Sequence, residues 1–365
     1  MKTILHVIDT TGPGGAETVF IELADRLRTL GYRSIVVIRG PGWVYDELRR
    51  RDITPHIIPA KGSFNIKFVR ALIKLIRAER VDVIQSHLLG SNVYCALVGL
   101  ITRRPVVATF HGRVDVNPNE RLRAVKLFLM NLGVKYFVTV SKSLCAEIHA
   151  EGLLNRKKTQ VIYNGIDTSR YGKSSERALL IQLGLGADTV LVGSLGNVRP
   201  AKAYDVLIKA VPQIIACYPQ AHFVIAGDIK ASLMTELDLL LKEFAVSDHV
   251  HFLGFCNDSA AFLAQLDIFL LSSRSEGFSI STIEAMATGL PIVATRCGGP
   301  EEIVSDSVDG LLVESENPIA LANGVLKLLD DRNLQTRIAE NGNRRAREAF
   351  EISGMIGQYT RLYES

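Results

Sequence analysis

Short apolar runs alternate along the chain with longer segments whose apolar residues recur at helical spacing. In the first half, the apolar runs lie at residues 4–8, 34–38, 81–85, 105–110 and 136–140. Residues 20–30 and 68–80 show the helical spacing clearly. Continuously apolar strands between helices are typical of a parallel sheet that helices cover on both faces. The pattern therefore predicts an α/β fold.

The alternation pauses over VIYNGIDTSRYGKSSE, residues 161–176, where Asn-Gly, Gly-Lys and Ser-Ser pairs mark an irregular segment. It then resumes with apolar runs at residues 189–196, 221–227, 249–254, 267–272 and 291–295. We therefore predict two doubly wound domains, residues 1–170 and 171–351, and a C-terminal helix at 352–365 that can join the first domain. Two such domains that face each other bind ligands in a cleft, outside the carboxyl ends of their strands.

Length and charge add to this prediction. The chain has 365 residues, more than one ordinary core contains, and its 47% hydrophobic and 22% charged composition is globular. The net charge of +4 is uneven, because residues 1–170 carry 26 Lys and Arg against 14 Asp and Glu, whereas residues 171–365 carry 16 against 24. The first half is therefore expected either to meet an anionic surface or substrate, or merely to expose more cationic side chains to water.

The cysteines and the apolar segments bear on location. Five scattered cysteines without a CxxC pair favour reduced thiols in a cytoplasmic protein. The longest apolar stretch, residues 93–101, is about half of the ~20 residues that a membrane-spanning helix needs. The segment ERLRAVKLFLMNLGVKYF, residues 120–137, is either a basic and apolar surface for peripheral membrane contact or a core helix with a cationic edge.

Two motifs of the first half follow predicted strands. Gly14 and Gly15, in TTGPGGAET, allow backbone N–H groups at a helix start to approach an anion, or they form only a tight turn. The motif is neither GxGxxG nor a P-loop. His111 ends the run VVATFHG, where it can bond a sugar hydroxyl or have a structural role.

Two cations follow the first predicted strand of the second half, in GSLGNVRPAKAYD. Arg199 and Lys202 suit a diphosphate, which an arginine binds with two parallel hydrogen bonds and a lysine binds as a point charge. The alternative is a solvated helix start. Cations at a helix N-terminus oppose the helix dipole, which counts against that alternative.

Two carboxylates lie in SRSEGFSISTIEAMATGLP, residues 273–291. Glu276 precedes Gly277 in a predicted loop and has no local structural role. Glu284 and Ser281 have the spacing of a helix-capping box. If the helix instead begins nearer Ser279, the Glu284 carboxylate lies a turn inside the helix and is free for a ligand.

Several chemistries lack their motifs in this sequence. It contains no Asp-x-Asp, no His/Cys cluster with metal spacing and no GxSxG. It also lacks the basic and aromatic stripes that are typical of nucleic-acid binding. We therefore expect no metal, no other cofactor and no nucleic acid.

The block around Glu276 and Glu284 resembles the E-x7-E motif of the retaining glycosyltransferase family 4. Further segments resemble that family in order over some 300 residues, including GGAE, ATFHG, VSKS, VIYNGID, GNVRPAK, FVIAGD, FLGF and GGPEEIV. The resemblance implies the GT-B fold, with two facing Rossmann-like domains. It also implies metal-independent transfer of a sugar from a nucleotide-sugar, commonly a UDP-sugar, with retained anomeric configuration.

The resemblance also implies roles for individual residues. Glu284 would bind the ribose, Glu276 the transferred sugar, and Arg199 and Lys202 the departing diphosphate. The remaining implied contacts are His111 to the donor sugar, Gly14 and Gly15 to the phosphates, the backbone of Gly277, Phe278, Ser279 and Ile280 to sugar and diphosphate, and the main chain near Phe255 to the base. Two positions depart from the family pattern: Asn197 stands where many members have Arg, and Ser279 where Gly is common.

The resemblance leaves several alternatives open. A sugar-nucleotide epimerase of similar fold and a non-catalytic nucleotide-sugar-binding protein remain, and the acceptor can be a glycan, a glycolipid or a lipid-linked sugar. Glu276 is a possible nucleophile in a double displacement, whereas family precedent favours a front-face route in which the diphosphate helps to deprotonate the acceptor.

Overall fold

The computed structural model describes residues 1–60, 65–174 and 176–365, and the chain forms two compact units. Unit 1 comprises Met1–Asn164 and Ser353–Ser365, and unit 2 comprises Gly165–Ile352. Unit 2 thus begins before the predicted boundary at residue 170. The reason is that the chain after Asn164 bonds to unit 2, since Ile166 N–H donates to the Phe350 carbonyl over 2.9 Å.

In its described residues, unit 1 contains seven strands and six α-helices before the chain enters unit 2. Its strands are Thr3–Ile8 (β1), Arg33–Ile38 (β2), His56–Ile57 (β3), Val83–His87 (β4), Val106–Phe110 (β5), Tyr136–Thr139 (β6) and Thr159–Val161 (β7). Its helices are Gly15–Thr29 (α1), Trp43–Arg50 (α2), Ile66–Ala78 (α3), Leu89–Thr102 (α4), Arg123–Gly133 (α5) and Lys142–Ala150 (α6).

All strand pairs of the unit 1 sheet are parallel, in the order β3-β2-β1-β4-β5-β6-β7. Strand β1 is an interior strand, with Thr3 opposite Arg33 of β2 on one side and Ile4 opposite Val83 of β4 on the other. Every residue of β1, β4 and β5 is buried. Both sheet faces are therefore covered, which is why β1 and β5 are largely apolar rather than alternating, whereas β4 ends in the buried polar residues Gln85, Ser86 and His87.

The described part of unit 2 forms six strands and eight α-helices. Its strands are Val190–Leu195 (β8), Ala221–Ala226 (β9), Val250–Gly254 (β10), Ile268–Leu271 (β11), Ile292–Arg296 (β12) and Leu311–Glu314 (β13). Its helices are Ala178–Leu183 (α7), Tyr204–Cys217 (α8), Ala231–Glu243 (α9), Ser259–Leu263 (α10), Ile280–Thr288 (α11), Pro300–Ile303 (α12), Pro318–Asp330 (α13) and Arg332–Ala349 (α14).

The unit 2 sheet is also parallel, in the order β10-β9-β8-β11-β12-β13. Its core contains strand residues such as Phe223, Leu270 and Val293, each at most 1% exposed, packed against α8 and α13. The predicted α/β class with two doubly wound, Rossmann-like domains is confirmed. The sequence pattern had not indicated the short strands β3, β7 and β13.

The last helix, Ile352–Glu364 (α15), belongs to unit 1 from Ser353 onward. It buries Tyr359 and Tyr363, which are 1% and 3% exposed. The Tyr359 hydroxyl lies 3.1 Å from Thr109 Oγ1 on β5, and Lys2 Nζ donates to the Tyr363 carbonyl over 2.8 Å. The end of the chain is therefore packed against its beginning.

All five cysteines are free thiols. Among the described helices, none combines the length and the apolar character that crossing a bilayer requires.

Two helical glycines of unit 1 give a matched test of packing. A Cβ on Gly133 of α5 would overlap the Ala96 carbonyl oxygen of α4 and lie 2.8 Å from its carbonyl carbon, whereas a Cβ on Gly357 of α15 would meet nothing within 4 Å. We expect Gly133→Ala to lower the free energy of unfolding by about 1–3 kcal/mol, because rigid backbone must move. We expect Gly357→Ala to raise it by about 0.5–1 kcal/mol. Urea denaturation measures both, and equal effects would contradict this packing.

Candidate functional site

The carboxyl edge of the unit 2 sheet places three loops side by side, those that follow β8, β11 and β12. Glu276 lies in the loop after β11, and its backbone is held by the loop after β12. Its N–H donates to the Cys297 carbonyl over 3.2 Å, and its carbonyl accepts from Gly299 N–H over 3.0 Å. Gly299 must lack a side chain here, because a Cβ would lie 2.8 Å from Phe278 Cα. Two loops thus fix the backbone of Glu276.

The Glu276 carboxylate pairs with Lys202. Glu276 Oε1 accepts from Lys202 Nζ over 2.7 Å and from Ser273 Oγ over 2.6 Å. Burial by itself lowers the pKa of Lys202, but the charge and hydrogen bond of Glu276 outweigh it, and the pKa is raised above its usual value. Lys202 is therefore a permanent cation beside the carboxylate.

The Lys202 side chain runs along Gly196, in the loop after β8. A Cβ on Gly196 would lie 2.7 Å from Lys202 Cε, and the Gly196 carbonyl accepts from the Tyr204 hydroxyl over 2.8 Å. Lys202 itself ends the 3-10 turn Pro200–Lys202, just before α8. The glycine therefore provides the space through which the lysine reaches Glu276.

Gly277, Phe278 and Ser279 lead into α11, whose first residue is Ile280. Ser279 is the N-cap, but its side chain caps no backbone N–H and instead accepts from Thr282 Oγ1 over 2.8 Å. The first turn contains no acidic residue. The start of α11 therefore presents backbone donors and the positive end of the helix dipole with no side-chain cap.

Glu284 lies inside α11, 9% exposed. Its Oε1 accepts from the Tyr171 hydroxyl over 2.7 Å and from Ser259 Oγ over 3.4 Å. Burial raises its pKa to about 6, although the hydrogen bonds from Tyr171 and Ser259 act in the opposite direction. Because the N-cap is Ser279 and not Ser281, the capping-box alternative for Glu284 is wrong.

The remaining predicted residues of unit 2 have fewer contacts. Arg199 is exposed, and its side chain has no hydrogen bond or ion pair within the described ranges. Asn197, which replaces the arginine of many family members, accepts from Asp228 N–H over 3.0 Å and so fixes the loop after β9. Phe255 follows the edge strand β10 and is 39% exposed.

Sequence reasoning missed the residues that hold the two glutamates. Ser273 lies only three positions before Glu276, but nothing local marks its role. Tyr171 and Ser259 are 113 and 25 positions from Glu284, so only the fold brings them together. Glu301 was also missed, and it accepts from the N–H groups of Cys297 and Gly298 over 3.1 and 2.9 Å.

Unit 1 places His111 at the carboxyl end of β5. Its ring stacks on His87 with a centroid distance of 5.2 Å, and its Nε2 lies 2.9 Å from His87 Nδ1. Its backbone N–H donates to Asp115 Oδ2 over 2.7 Å. Burial lowers the pKa of His111 to about 3 and that of His87 well below its usual value. Both imidazoles are therefore neutral near pH 7.

Gly14 and Gly15 lie at the start of α1, with Gly14 as its N-cap. The Glu17 side chain occupies the adjacent space, because a Cβ on Gly14 would overlap Glu17 Oε2. The structure therefore brings only some of the predicted site residues into contact with one another. Lys202 contacts Glu276, Glu284 has a separate set of partners, and His111, Gly14 and Gly15 belong to the other unit.

Within residues 1–60, 65–174 and 176–365, no group of three His, Cys, Asp or Glu side chains is placed to hold a metal ion.

Comparison with known proteins identifies the family. Residues 13–170 match the model of Glycosyltransferase Family 4, and residues 177–345 match the model of Glycosyl transferases group 1. Together the two models account for most of the chain.

Individual relatives match over nearly the whole length. N-acetyl-alpha-D-glucosaminyl L-malate synthase of Bacillus anthracis is 26% identical over 100% of this chain and 97% of its own. The Escherichia coli UDP-Gal:alpha-D-GlcNAc-diphosphoundecaprenol alpha-1,3-galactosyltransferase is 25% identical over 82% of this chain and 79% of its own.

Among solved structures, Anabaena Alr3699/HepE in complex with UDP and glucose superposes with a TM-score of 0.90 at 25% identity, and the match covers 100% of both chains. With two parallel-sheet Rossmann-like domains and matches to both family models, the chain belongs to the family 4 glycosyltransferases of the GT-B fold.

Proposed function

We propose that this protein is a retaining, metal-independent glycosyltransferase that moves a sugar from a UDP-sugar to a glycan, glycolipid or lipid-linked acceptor. The observation that carries the proposal is the Lys202–Glu276 pair at the carboxyl edge of the unit 2 sheet. The relatives support the donor and acceptor classes. Anabaena HepE binds UDP and glucose, and the E. coli relative is named for transfer from UDP-Gal to a diphosphoundecaprenol-linked sugar.

Departure of a nucleoside diphosphate requires stabilisation of the charge that develops on its phosphates. Lys202 supplies a fixed cation, and the uncapped start of α11 supplies backbone N–H donors. Arg199 is exposed and close in sequence, so it can add a second cation. These chain groups supply the charge that a divalent metal supplies in other glycosyltransferases.

Glu276 fits a role at the transferred sugar. Its Oε1 is occupied by Lys202 and Ser273, which stabilise the carboxylate and make that oxygen a weaker nucleophile. This arrangement favours binding of sugar hydroxyls over formation of a covalent intermediate. It is consistent with a front-face route, in which the diphosphate assists deprotonation of the acceptor and the anomeric configuration is retained.

Glu284 fits a role at the ribose. Its Oε1 is held by Tyr171 and Ser259, and its Oε2 has no hydrogen-bond partner in the described part of the chain. A carboxylate with one fixed oxygen and one open oxygen can accept hydrogen bonds from vicinal hydroxyls. Three further roles stay proposals: contact of Phe255 with the base, of His111 with the donor sugar, and of Gly14 and Gly15 with phosphate.

For the acceptor side we propose peripheral contact with an anionic bilayer, through a surface we call the α5 face. It consists of Leu122, Val125, Phe128 and Leu132, which are 46–67% exposed. Among the described residues of α5, Met130 is buried, and the helix packs on α4 while it exposes these apolar side chains.

Charge favours an anionic bilayer as the occupant of the α5 face. Residues 121–135 contain four cations and no acidic residue. Two of these cations, Lys126 and Arg123, pair with the nearby acids Glu120 and Glu151, so Arg121 and Lys135 supply the net positive charge beside the face. Apolar side chains flanked by cations are typical of helices that lie in the membrane interface.

The first prediction concerns transfer. We expect Lys202→Ala and Glu276→Ala each to lower transfer roughly a hundredfold, because each removes charge or hydrogen bonding at the reacting groups. The assay measures UDP release and product formation from UDP-sugars with glycan and lipid-linked acceptors in excess EDTA, and NMR gives the product anomer.

The control is Lys242→Ala, which removes an exposed lysine of α9 in the same unit and leaves transfer unchanged. Full activity in both site variants would contradict the proposal, and so would a product with inverted anomeric configuration. A wild-type activity that EDTA abolishes and Mg²⁺ restores would contradict the metal-independent part of it. Conversion of the donor sugar without an acceptor would indicate an epimerase.

A second prediction concerns Glu284 and pH. Since the fold raises its pKa from 4.5 to about 6, its contribution to stability is fully present below pH 4.5 and is lost as the pH rises through about 6. Glu284→Gln replaces the ionisable carboxyl group with a neutral amide. We expect the change in the free energy of unfolding to be about 2 kcal/mol more stabilising at pH 8 than at pH 4.5. We also expect the substitution to weaken UDP binding. Urea denaturation at both pH values and calorimetric titration with UDP measure the two effects. An equal stability change at both pH values, or unchanged UDP affinity, would contradict this role.

A third prediction concerns the α5 face. We expect Phe128→Ser to reduce binding to phosphatidylcholine:phosphatidylglycerol vesicles about tenfold, because one large apolar side chain no longer enters the bilayer. Ile319→Ser, at a 65% exposed position of α13, is the matched control and leaves binding unchanged. Vesicle flotation at low salt gives the result. If the wild-type protein does not bind the vesicles, lipid is not the occupant of the α5 face. The same holds if the wild-type protein is a dimer that Phe128→Ser dissociates.

A further inference from the structure

A chain of buried polar groups runs from the C-terminal helix to His111 through the core of unit 1. The Tyr363 hydroxyl donates to Gln85 Oε1 over 3.0 Å. Gln85 Nε2 lies 3.2 Å from His87 Nε2, and His87 Nδ1 lies 2.9 Å from His111 Nε2. Gln85 and His87 are fully buried on β4.

The partners of Gln85 decide which end of its amide faces His87. Gln85 Nε2 lies 3.3 Å from the Ser86 carbonyl and 2.9 Å from Thr109 Oγ1. A backbone carbonyl only accepts, so the atom beside it must be the amide nitrogen. The amide oxygen is then the atom that accepts from Tyr363. The orientation of Gln85 is thus fixed from both ends.

The amide orientation determines the proton positions on both histidines. The amide NH₂ group has two protons and cannot accept, and its two shorter contacts are Thr109 Oγ1 and His87 Nε2. With the protons on these two contacts, His87 Nε2 accepts, and the neutral His87 carries its proton on Nδ1. His87 Nδ1–H then donates to His111 Nε2. The neutral His111 in turn carries its proton on Nδ1, which has no hydrogen-bond partner in the described ranges.

We propose that Gln85, oriented by Tyr363, is a positioning residue that acts through His87 to keep His111 a hydrogen-bond donor at Nδ1. A donor at this atom suits a hydroxyl of the donor sugar or a phosphate oxygen, either of which can accept. The predicted effect on catalysis rests on the proposed function. The predicted tautomer of His111 does not, because it can be measured without any activity. Without this chain of contacts, a neutral imidazole interconverts between two tautomers, and only one of them offers the donor.

Gln85→Glu tests the proposal with nearly the same shape. A carboxylate oxygen in place of the NH₂ group accepts from His87 Nε2–H, so the proton of His87 moves to Nε2 and the proton of His111 moves to Nε2 as well. The full chain is labelled with [¹⁵N]histidine, and long-range ¹H–¹⁵N spectra identify the His111 tautomer, with His111→Asn for assignment. We expect Nδ1–H in the wild type, Nε2–H in Gln85→Glu, and no change in Gln213→Glu, a matched substitution on the surface of α8.

The same variants are then assayed for turnover of UDP-glucose. We expect kcat/KM to fall about tenfold in Gln85→Glu, the effect of losing one hydrogen bond to the substrate. If Gln85→Glu does not fold, Tyr363→Phe removes the contact that orients the amide from its oxygen end. We expect this weaker constraint to give ¹⁵N shifts that are partly averaged between the two His111 tautomers.

Three results would overturn the proposal: a wild-type His111 protonated on Nε2, a tautomer that neither Gln85→Glu nor Tyr363→Phe changes, or a changed tautomer with unchanged turnover. A wild-type protein with the expected tautomer and no transfer on any UDP-sugar would instead refute the proposed function.

Discussion

Burial of both faces of each parallel sheet is the constraint on which the rest of the structure depends. Strands that are covered by helices on both sides are largely apolar, as β1 and β5 are apart from Thr3, His6 and Thr109. Polar chemistry is then displaced to the loops that leave the strands. All strands of a parallel sheet end at the same edge, so residues far apart in sequence meet there, as Lys202 and Glu276 do.

The charges at the unit 2 edge are stabilised in two different ways. Glu276 is neutralised by a neighbouring cation and a hydroxyl, which keeps the pair at no net charge. Glu284 has the Tyr171 and Ser259 hydroxyls and only a smaller charge interaction with Arg170, so its burial is incompletely compensated and its pKa rises to about 6. A buried carboxylate without a cation lowers stability at neutral pH. The presence of the Glu284 carboxylate inside α11 is explained if a bound ligand donates the hydrogen bonds that the protein does not supply.

The main strands and helices could be predicted from the sequence, because they follow from local patterns, whereas the roles of the site residues come from the family resemblance and stay predictions. Apolar runs marked the main strands, and the E-x7-E block placed the two glutamates. The contacts of those glutamates could not be predicted, since Tyr171 reaches Glu284 across 113 positions. The exposure of α5 could not be predicted from the sequence either. Hydrophobic periodicity shows that a helix has an apolar face, but it does not show whether another element covers that face.

Unit 1 contains an exception to the rule that polar groups lie at strand ends. Gln85, His87 and Thr109 occupy the middle and end of β4 and β5, where unpartnered polar atoms would be costly. Their partners come largely from one another and from the tyrosines of α15, an element added after the chain has completed unit 2. The return of the C-terminal helix to unit 1 therefore does more than cover apolar surface. It supplies the hydroxyls that give the buried polar groups a single orientation, and His111 inherits that orientation through His87.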